Sequence, residues 1–319
     1  MISLRYHIVS LVAVFLALTL GIVVGGTVLK EPTIALLRTT SRELRQTSQQ
    51  YRTENQQLKD RVRDFQQFGA ATLPSLVRDK LKNHTVVLVD TDRVDNATRD
   101  RVTEALRDAG ATYDGRITFA TGRLALTGQG DRDALRRLLA TDATDPAALR
   151  TGLVGELVDR LAVPSRLPTD DRSRPADVLT GLQDARFLAD LKLEQPGFAK
   201  GQLPFPRPGS LFVLLGPTGP TDQTDLQPQA FLLPMADRLA LRSRAVVAAE
   251  RADGPTSWVA ALRDQPAVAS RVSTVDDVDL PYGQFTLVEA LQRRLLGQTT
   301  GQYGTKPGAS LLPAGLPGS

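Results

Sequence analysis

Asp90 and Asp92 form the part of the sequence that is most similar to a catalytic motif. They belong to a DTDRV sequence that follows the apolar run Val86–Val89 and fits the DxDx[TV] pattern of haloacid-dehalogenase-like phosphatases. In such an enzyme the first carboxylate would attack phosphorus and the second would act as acid and base. Asp276 and Asp277, which follow a later apolar run, could supply a metal-binding pair. The alternative is structural, because Asp is frequent where a strand meets a helix, as a turn or cap residue.

Other catalytic patterns are weaker. No lysine or Ser/Thr element falls in place for the phosphatase chemistry. The GPTGP loop that begins at Gly216 lacks the Gly-Lys-Ser/Thr of a phosphate loop, and its two prolines remove amide donors. A Ser/His/Asp triad is not credible with two histidines, one of them juxtamembrane. We therefore expect a protein that is not an enzyme, with a phosphohydrolase using Asp90 and Asp92 as the alternative.

The composition excludes several kinds of site. The chain has no cysteine, which excludes disulfides, zinc-thiolate sites and thiol nucleophiles. Its only histidines are His7 and His84, and its only methionines are Met1 and Met235, so a soft-metal site within one chain has almost no ligands. We predict no bound cofactor or metal. The 39 basic and 35 acidic side chains give a net charge of only +4. Because the basic residues are spread along the chain, we predict no nucleic-acid partner.

An uncharged apolar span, Ile8–Leu29, lies close to the first residue. At about 1.5 Å per residue its helix measures about 33 Å, enough to cross a hydrocarbon core of about 30 Å. A cleaved signal peptide is the alternative, but its apolar region is typically about 7–15 residues long. We predict a retained single-pass anchor and short tail over residues 1–30. Basic residues on both sides of the span leave its orientation open.

Small residues recur every fourth position within the span. Because small side chains let two helix backbones approach closely in lipid, this pattern is compatible with a dimer interface. The alternative is that Gly and Ala are simply common in membrane helices. The expected contact residues are Ala13, Ala17, Gly21 and Gly25.

A seven-residue repeat follows the span. Its a and d positions alternate spacings of three and four over nearly five heptads, which is typical of a coiled coil. The d positions are apolar or aromatic, and Asn55 at an a position favours two strands in a fixed register. The alternative is one amphipathic helix lying on its own domain. We predict a parallel homodimeric coiled coil over residues 31–70, ending near Phe68-Gly69 with Pro74 marking the break. The expected interface residues are Ile34, Leu37, Leu44, Tyr51, Asn55, Leu58, Val62 and Phe65.

Residues 71–297 are predicted to form an α/β domain with a mainly parallel sheet. Short apolar runs alternate with helical patterns, as in a sheet covered on both faces. The Gly/Pro-rich residues 298–319 are predicted to be a disordered tail. Expected strands include Val86–Val89, Arg116–Ala120, Leu211–Leu215, Ala245–Ala249 and Val272–Val275; expected helices include Asp131–Ala140, Gly152–Leu161, Ala176–Leu193, Leu226–Arg242, Ser257–Gln265 and Phe285–Gln298.

The chain resembles the actinobacterial MctB family, also called SteB in corynebacteria. The resemblance rests on the opening MISLRYHIVSLVAVFLALTLGIVVGGTVL, the heptads and the VVLVD run of the α/β domain, and extends to about Leu296. It implies a cytoplasmic N-terminus and an exported coiled coil and globular domain. Members are described as copper transport proteins, linked to copper efflux and to a partner membrane protein that controls cell-wall hydrolysis at cell separation.

The resemblance does not bring a copper site with it, because no Cys, Met or His cluster exists to receive one. We therefore expect a dimeric scaffold in the cell membrane that binds another membrane or cell-envelope protein. The resemblance suggests a role in copper homeostasis, either direct or indirect, and copper itself is a partner only by resemblance.

Overall fold

A computed structural model describes residues 4–27, 30–168, 177–217, 227–253 and 257–315. Side chains are described within these ranges except for residues 4, 26–38 and 228, so the side chains of the predicted contacts Ile34 and Leu37 lie outside the described set. The chain divides into two compact units, residues 1–65 and 66–319.

Two helices account for the first unit. Helix α1, Leu4–Thr27, contains one stretch, Arg5–Gly25, that is long and apolar enough to cross a membrane. Helix α2, Lys30–Val77, is 48 residues long and continues into the second unit. Its polar composition and heptad spacing suit a long helix whose single apolar stripe lies along one side.

The predicted helix break at Pro74 is wrong, because α2 continues through this residue to Val77. A proline inside a helix removes one backbone hydrogen bond and costs about 3 kcal/mol. Here Leu73 and Val77, on either side of it, are buried in the core of the second unit. Their burial offsets that cost, and the heptad pattern alone does not reveal it.

Among its described residues, the second unit contains a seven-stranded sheet in the order β4-β2-β1-β6-β7-β8-β9, in which only β4 runs antiparallel to its neighbour. A two-stranded ribbon, β3 with β5, lies apart from this sheet. The strands are β1 Thr85–Thr91, β2 Thr112–Phe119, β3 Ser165–Arg166, β4 Leu188–Leu193, β5 Pro204–Phe205, β6 Leu211–Leu215, β7 Val246–Ala249, β8 Ser273–Val275 and β9 Gln302–Tyr303.

Helices cover both faces of this sheet. Successive residues of each strand point to opposite faces, so Val87 and Val89 enter one core and Val86 and Leu88 the other. The first core receives α5, α6 and α9; the second receives α3, α12 and the last turns of α2. The helices are α3 Asn96–Asp108, α4 Thr121–Leu124, α5 Gln129–Leu139, α6 Pro146–Ala162, α7 Val178–Asp184, α8 Pro196–Ala199, α9 Leu232–Ala240, α10 Trp258–Arg263, α11 Pro266–Ala269 and α12 Pro281–Leu295, with a 3₁₀ turn at Pro228–Ala230.

The α/β class with a mostly parallel sheet is confirmed, and all five predicted strands are present, but the helix predicted over Ala176–Leu193 is wrong. Its first part is α7 and its second part is strand β4. Arg186, with φ of +60°, ends the helical stretch. Within β4, the half-buried Leu191 and Leu193 alternate with exposed polar residues, which is the period of an edge strand. Residue 176 and the predicted helix start at Leu226 lie outside the described residues.

The predicted disordered tail is folded over much of its described part. Gln302–Tyr303 forms β9 and pairs in parallel with β8. Gly304 then donates its backbone N–H to the carbonyl of Ser310. This segment is folded because buried acidic side chains from other parts of the sheet bind it. Its own Gly/Pro-rich composition gives no sign of these partners. We refer to residues 300–310 as the C-terminal strap.

Candidate functional site

The carboxyl ends of the parallel strands are the first place to look for a ligand site. The chain passes from β1 to β2 on one side and later to β6 on the other side of β1. In open α/β sheets, ligands bind beside the carboxyl ends of the strands at such a switch point. Acidic residues end several of these strands, namely Asp90, Glu250, Asp276 and Asp277.

Asp90 is bound by an arginine from the following helix. Its Oδ2 accepts a 2.6 Å hydrogen bond from Nε of Arg99, and Nη2 of Arg99 donates to the carbonyl of Thr91. Asp90 is fully buried. Burial raises the pKa of its carboxyl group, while Thr118 and Arg99 oppose that shift. A carboxylate clamped in this way joins β1 to α3 and is poorly placed to attack a phosphoryl group.

Asp92 binds a different element. Its Oδ1 accepts hydrogen bonds from the backbone N–H of Thr121 at 3.2 Å and from the Thr121 hydroxyl at 2.8 Å. Thr121 is the first residue of α4, so Asp92 satisfies a free amide at a helix start. The two carboxylates of the predicted motif therefore bind different structural partners. This agrees with the alternative interpretation, in which these residues are turn or cap residues where a strand meets a helix.

Asp276 holds the C-terminal strap. The carboxylate accepts hydrogen bonds from Nη1 of Arg263 at 2.7 Å and from the backbone N–H of Thr305 at 2.8 Å. At Gly304, with φ of +131°, an added Cβ would lie only 1.9 Å from the Asp276 carboxylate. Only glycine fits this contact, so the strap sequence is matched to the buried acid.

Asp277 is fully buried beside Asp276 and accepts a 3.1 Å hydrogen bond from the hydroxyl of Thr305. Burial and the neighbouring Asp276 raise its pKa to about 6, while Tyr282 and Thr305 act in the opposite direction. The pair that resembled a metal site is thus engaged by the strap.

Glu250, at the end of β7, has a similar arrangement. It accepts hydrogen bonds from the backbone N–H of Trp258 at 3.0 Å and from Nζ of Lys306 at 2.6 Å, and it also binds the Ser257 hydroxyl. Lys306 also donates to the carbonyl of Arg251. The strap therefore places its own cation where a ligand could otherwise contact these acids. Sequence reasoning missed this, since Glu250 and Lys306 are 56 residues apart.

The switch point itself is only partly described. Gly216, after β6, packs so closely against Trp258 that an added Cβ would lie 1.8 Å from its Nε1. Trp258 is buried and donates from Nε1 to the carbonyl of Ala249. Residues 218–220 of the GPTGP loop lie outside the described residues.

The part of the chain that the structure describes contains no set of ligands that matches copper as a cargo. There, no group of three or more His, Cys, Asp or Glu side chains is arranged to hold a metal ion. Met235 is fully buried on α9. His84 lies half-buried just before β1, and a single imidazole does not make a copper site.

The residues predicted for the dimer interface lie on helices, and those whose side chains are described are exposed. Gly21 and Gly25 have open space where a Cβ would be added, and Ala13 and Ala17 are exposed on α1. Along α2, Leu44, Tyr51, Leu58, Val62 and Phe65 are each 54–75% exposed. Asn55 donates to the carbonyl of Tyr51 within its own helix. The predicted residues with described side chains are thus left uncovered by their own unit.

Comparison with known proteins identifies relatives over nearly the whole chain. Residues 1–313 match the family described as "Copper transport outer membrane protein, MctB". "Copper transporter MctB" of Mycobacterium tuberculosis is 27% identical over 328 residues, an alignment that covers 97% of this chain and 98% of the relative. The protein of the same name from Mycobacterium leprae is 29% identical over 324 residues, with the same coverage of both chains.

Proposed function

Since the chain belongs to the MctB family of copper transport outer membrane proteins, we propose that it serves copper homeostasis as a dimeric, membrane-anchored scaffold that binds partner proteins. The observation on which this rests is the exposed heptad stripe of α2, from Leu44 to Phe65. The family membership supports the copper role, and the stripe supports the assembly.

The exposed stripe is energetically unfavourable in a lone chain. Burying one leucine side chain contributes about 1.5–3 kcal/mol. A second copy in a parallel coiled coil would cover Leu44, Tyr51, Leu58 and Phe65, all of them d positions, in one interface. The segment from Ile34 to Phe65 keeps the 3.5-residue period throughout, which suits a supercoiled pair better than a helix on a globular surface.

The charges beside the stripe favour the parallel orientation. Arg45, Arg52 and Lys59 occupy successive e positions. An antiparallel pair would bring these cations against one another, which is unfavourable. A parallel pair brings each of them against a g position of the second copy, and Lys59 then faces Glu54. Asn55, released from its intrahelical bond, would pair with its counterpart at an a position.

Helix α1 would anchor the dimer. Its small-residue face at Ala13, Ala17, Gly21 and Gly25 would let two anchors pack closely. We place the N-terminus in the cytoplasm and residues 71–297 outside the cell membrane, as the resemblance implies. The α/β unit and the coiled coil would then be available to another membrane or cell-envelope protein, including one that controls cell-wall hydrolysis at cell separation.

A scaffold and a transporter predict different results with purified protein. The full chain is reconstituted in liposomes that contain a copper-sensitive dye, and copper entry is compared with that of protein-free liposomes. The scaffold predicts no difference, because the described residues offer no copper ligand set. Protein-dependent flux would overturn it.

A cellular test addresses the dimer. Cells that depend on this protein for copper tolerance would carry Leu58→Asp, with Gln57→Asp, one position away on the outer face, as the matched control. The proposal predicts loss of copper tolerance for the first variant and wild-type tolerance for the second, at equal protein levels. Equal tolerance in both would contradict a role for the stripe.

A further inference from the structure

A cavity of about 580 Å³ opens at the amino edge of the sheet, where β1, β6 and β7 begin. Residues before each of these strands line it, including His84, Gly209 and Arg244. This edge is the one opposite to the acidic carboxyl ends, since the three strands run in parallel. Its volume lies within the range of small-molecule sites, about 300–1,000 Å³.

The cavity is lined by two arginines and one histidine. These are His84, Arg207 and Arg244, and no acidic side chain is among the described residues that line it. Arg244 is exposed, and within the described ranges it has neither an ion pair nor a side-chain hydrogen bond. Its guanidinium is therefore available to a ligand.

Arg207 is held in place by the protein itself. The fully buried carboxylate of Asp114 accepts a 2.9 Å hydrogen bond from the Arg207 backbone N–H and lies 3.4 Å from its Nε. The guanidinium also lies 5.6 Å from the centre of the Phe198 ring. A guanidinium fixed on two sides binds an anion with little further loss of side-chain freedom.

Part of the remaining wall is apolar, beside the polar side chains of Asn83, Thr85 and Gln195. Leu203, Pro204 and Pro208 are its accessible apolar side chains, whereas Phe198 is fully buried. An inorganic anion would leave this wall in contact with water, whereas an organic group attached to the anion would cover it. The combination of basic and apolar lining sets the chemical class of the occupant.

We infer that this cavity binds a small organic anion, a carboxylate or phosphate monoester joined to an apolar or aromatic group. Arg244 and Arg207 pair with the anionic group, His84 donates to it, and Leu203 and Pro204 contact the apolar part. The lining residues include none of the heptad stripe or of the strap, and the inference does not depend on the scaffold proposal.

The test uses the full chain in nanodiscs of phosphatidylcholine, titrated by isothermal calorimetry with phenyl phosphate and, separately, with benzoate. At least one of them is expected to bind saturably at one site per chain. Inorganic phosphate is expected to bind at least about tenfold more weakly than phenyl phosphate, because it lacks the apolar group. Absence of saturable binding by both organic probes overturns the inference, and so does equal binding of the two phosphates.

Arg244→Glu is the informative variant. Arg207 is avoided, since its removal leaves the buried Asp114 unpaired, whereas Arg244 is exposed. Losing one hydrogen-bonded charge and adding repulsion should weaken the binding probe at least about tenfold. Arg137→Glu, at an exposed position of α5, makes the same charge change and should bind as the wild type. Wild-type binding by Arg244→Glu, or equal loss in both variants, overturns the assignment.

Discussion

The heptad segment of α2 and the α/β unit use apolar residues in opposite ways. In the segment, Leu44 and Leu58 are more than half exposed, whereas in the sheet Leu88 and Val213 are fully buried. The difference extends to charges, because Arg99 and Lys306 bind buried acids while the ion pair between Arg63 and Asp60 lies on the surface. The α/β unit buries most of its apolar side chains and pairs several of its charges, whereas the heptad segment leaves an apolar stripe exposed.

The largest effect should come from placing a charge in the stripe. Leu58→Asp removes two buried leucines from a dimer and should weaken association by about 3–6 kcal/mol, which is more than about 100-fold. Analytical ultracentrifugation of the full chain in detergent should show a monomer for this variant and a dimer for Gln57→Asp. Because Leu58 is exposed in one chain, the unfolding of the α/β unit should not change. A dimeric Leu58→Asp protein would contradict the assignment of the stripe to a dimer interface.

Removing the cation of the strap should lower the folding stability of the α/β unit and leave its association unchanged. Lys306→Met leaves Glu250, which is 2% exposed, without its cation. Breaking a buried pair by removing one partner should lower the free energy of unfolding by about 3 kcal/mol. Chemical denaturation measures this loss, and the oligomeric state should stay the same. Lys192→Met, which removes an exposed 3.6 Å pair with Glu194, should cost less than about 1 kcal/mol. Equal effects would contradict the role given to the strap.

Acid should stabilise the α/β unit through Asp277. Its pKa of about 6 lies above the ordinary value of 3.8, so the folded state holds the proton more tightly than the unfolded state. This contribution is complete below pH 3.8 and is lost as the pH rises through 6. Asp277→Asn should therefore raise the free energy of unfolding at pH 7.5 by on the order of 1–3 kcal/mol and flatten its dependence between pH 7.5 and 5.

The matched variant for that experiment is Asp264→Asn, at an exposed position after α10. Denaturation curves for this variant should keep the wild-type pH dependence. A wild-type slope in Asp277→Asn would show that another group is responsible.

The smallest effect should follow from Asp92→Asn. The amide oxygen can still accept from Thr121, so the loss should be about 1 kcal/mol or less, as for other helix-start contacts. Copper tolerance of cells that carry this variant should equal that of the wild type. A strong cellular defect with normal protein stability would instead favour chemistry at the predicted Asp90–Asp92 motif.

Much of the fold follows from local pattern, while the strap and the charge pairs depend on distant residues. Val86–Val89 and Leu211–Leu215 are continuous apolar runs, which is the pattern of buried parallel strands, and both were predicted. Strand β4 was missed because its alternation of Leu191 and Leu193 with polar residues is brief and half exposed. The fold of the strap was not predicted, because the acidic residues that bind it, such as Asp276, come from elsewhere in the chain.

The candidate sites divide in the same way. The heptad residues could be read directly because their spacing is local, and the structure places those with described side chains on an exposed helix. The partners of Asp90 and Asp92 could not be predicted from the sequence. Arg99 and Thr121 contact these carboxylates only in the folded chain. The cavity near Arg207 likewise needs three strand starts to meet.

Cysteine cross-linking tests the central claim most directly, because the native chain contains no cysteine. Leu44→Cys lies at a d position and Gln46→Cys at an outward f position two residues away. Under mild diamide oxidation of the full chain in membranes, a parallel dimer predicts rapid disulfide-linked dimers for Leu44→Cys and almost none for Gln46→Cys. Equal cross-linking of the two variants, or none in either, would contradict a parallel coiled-coil dimer.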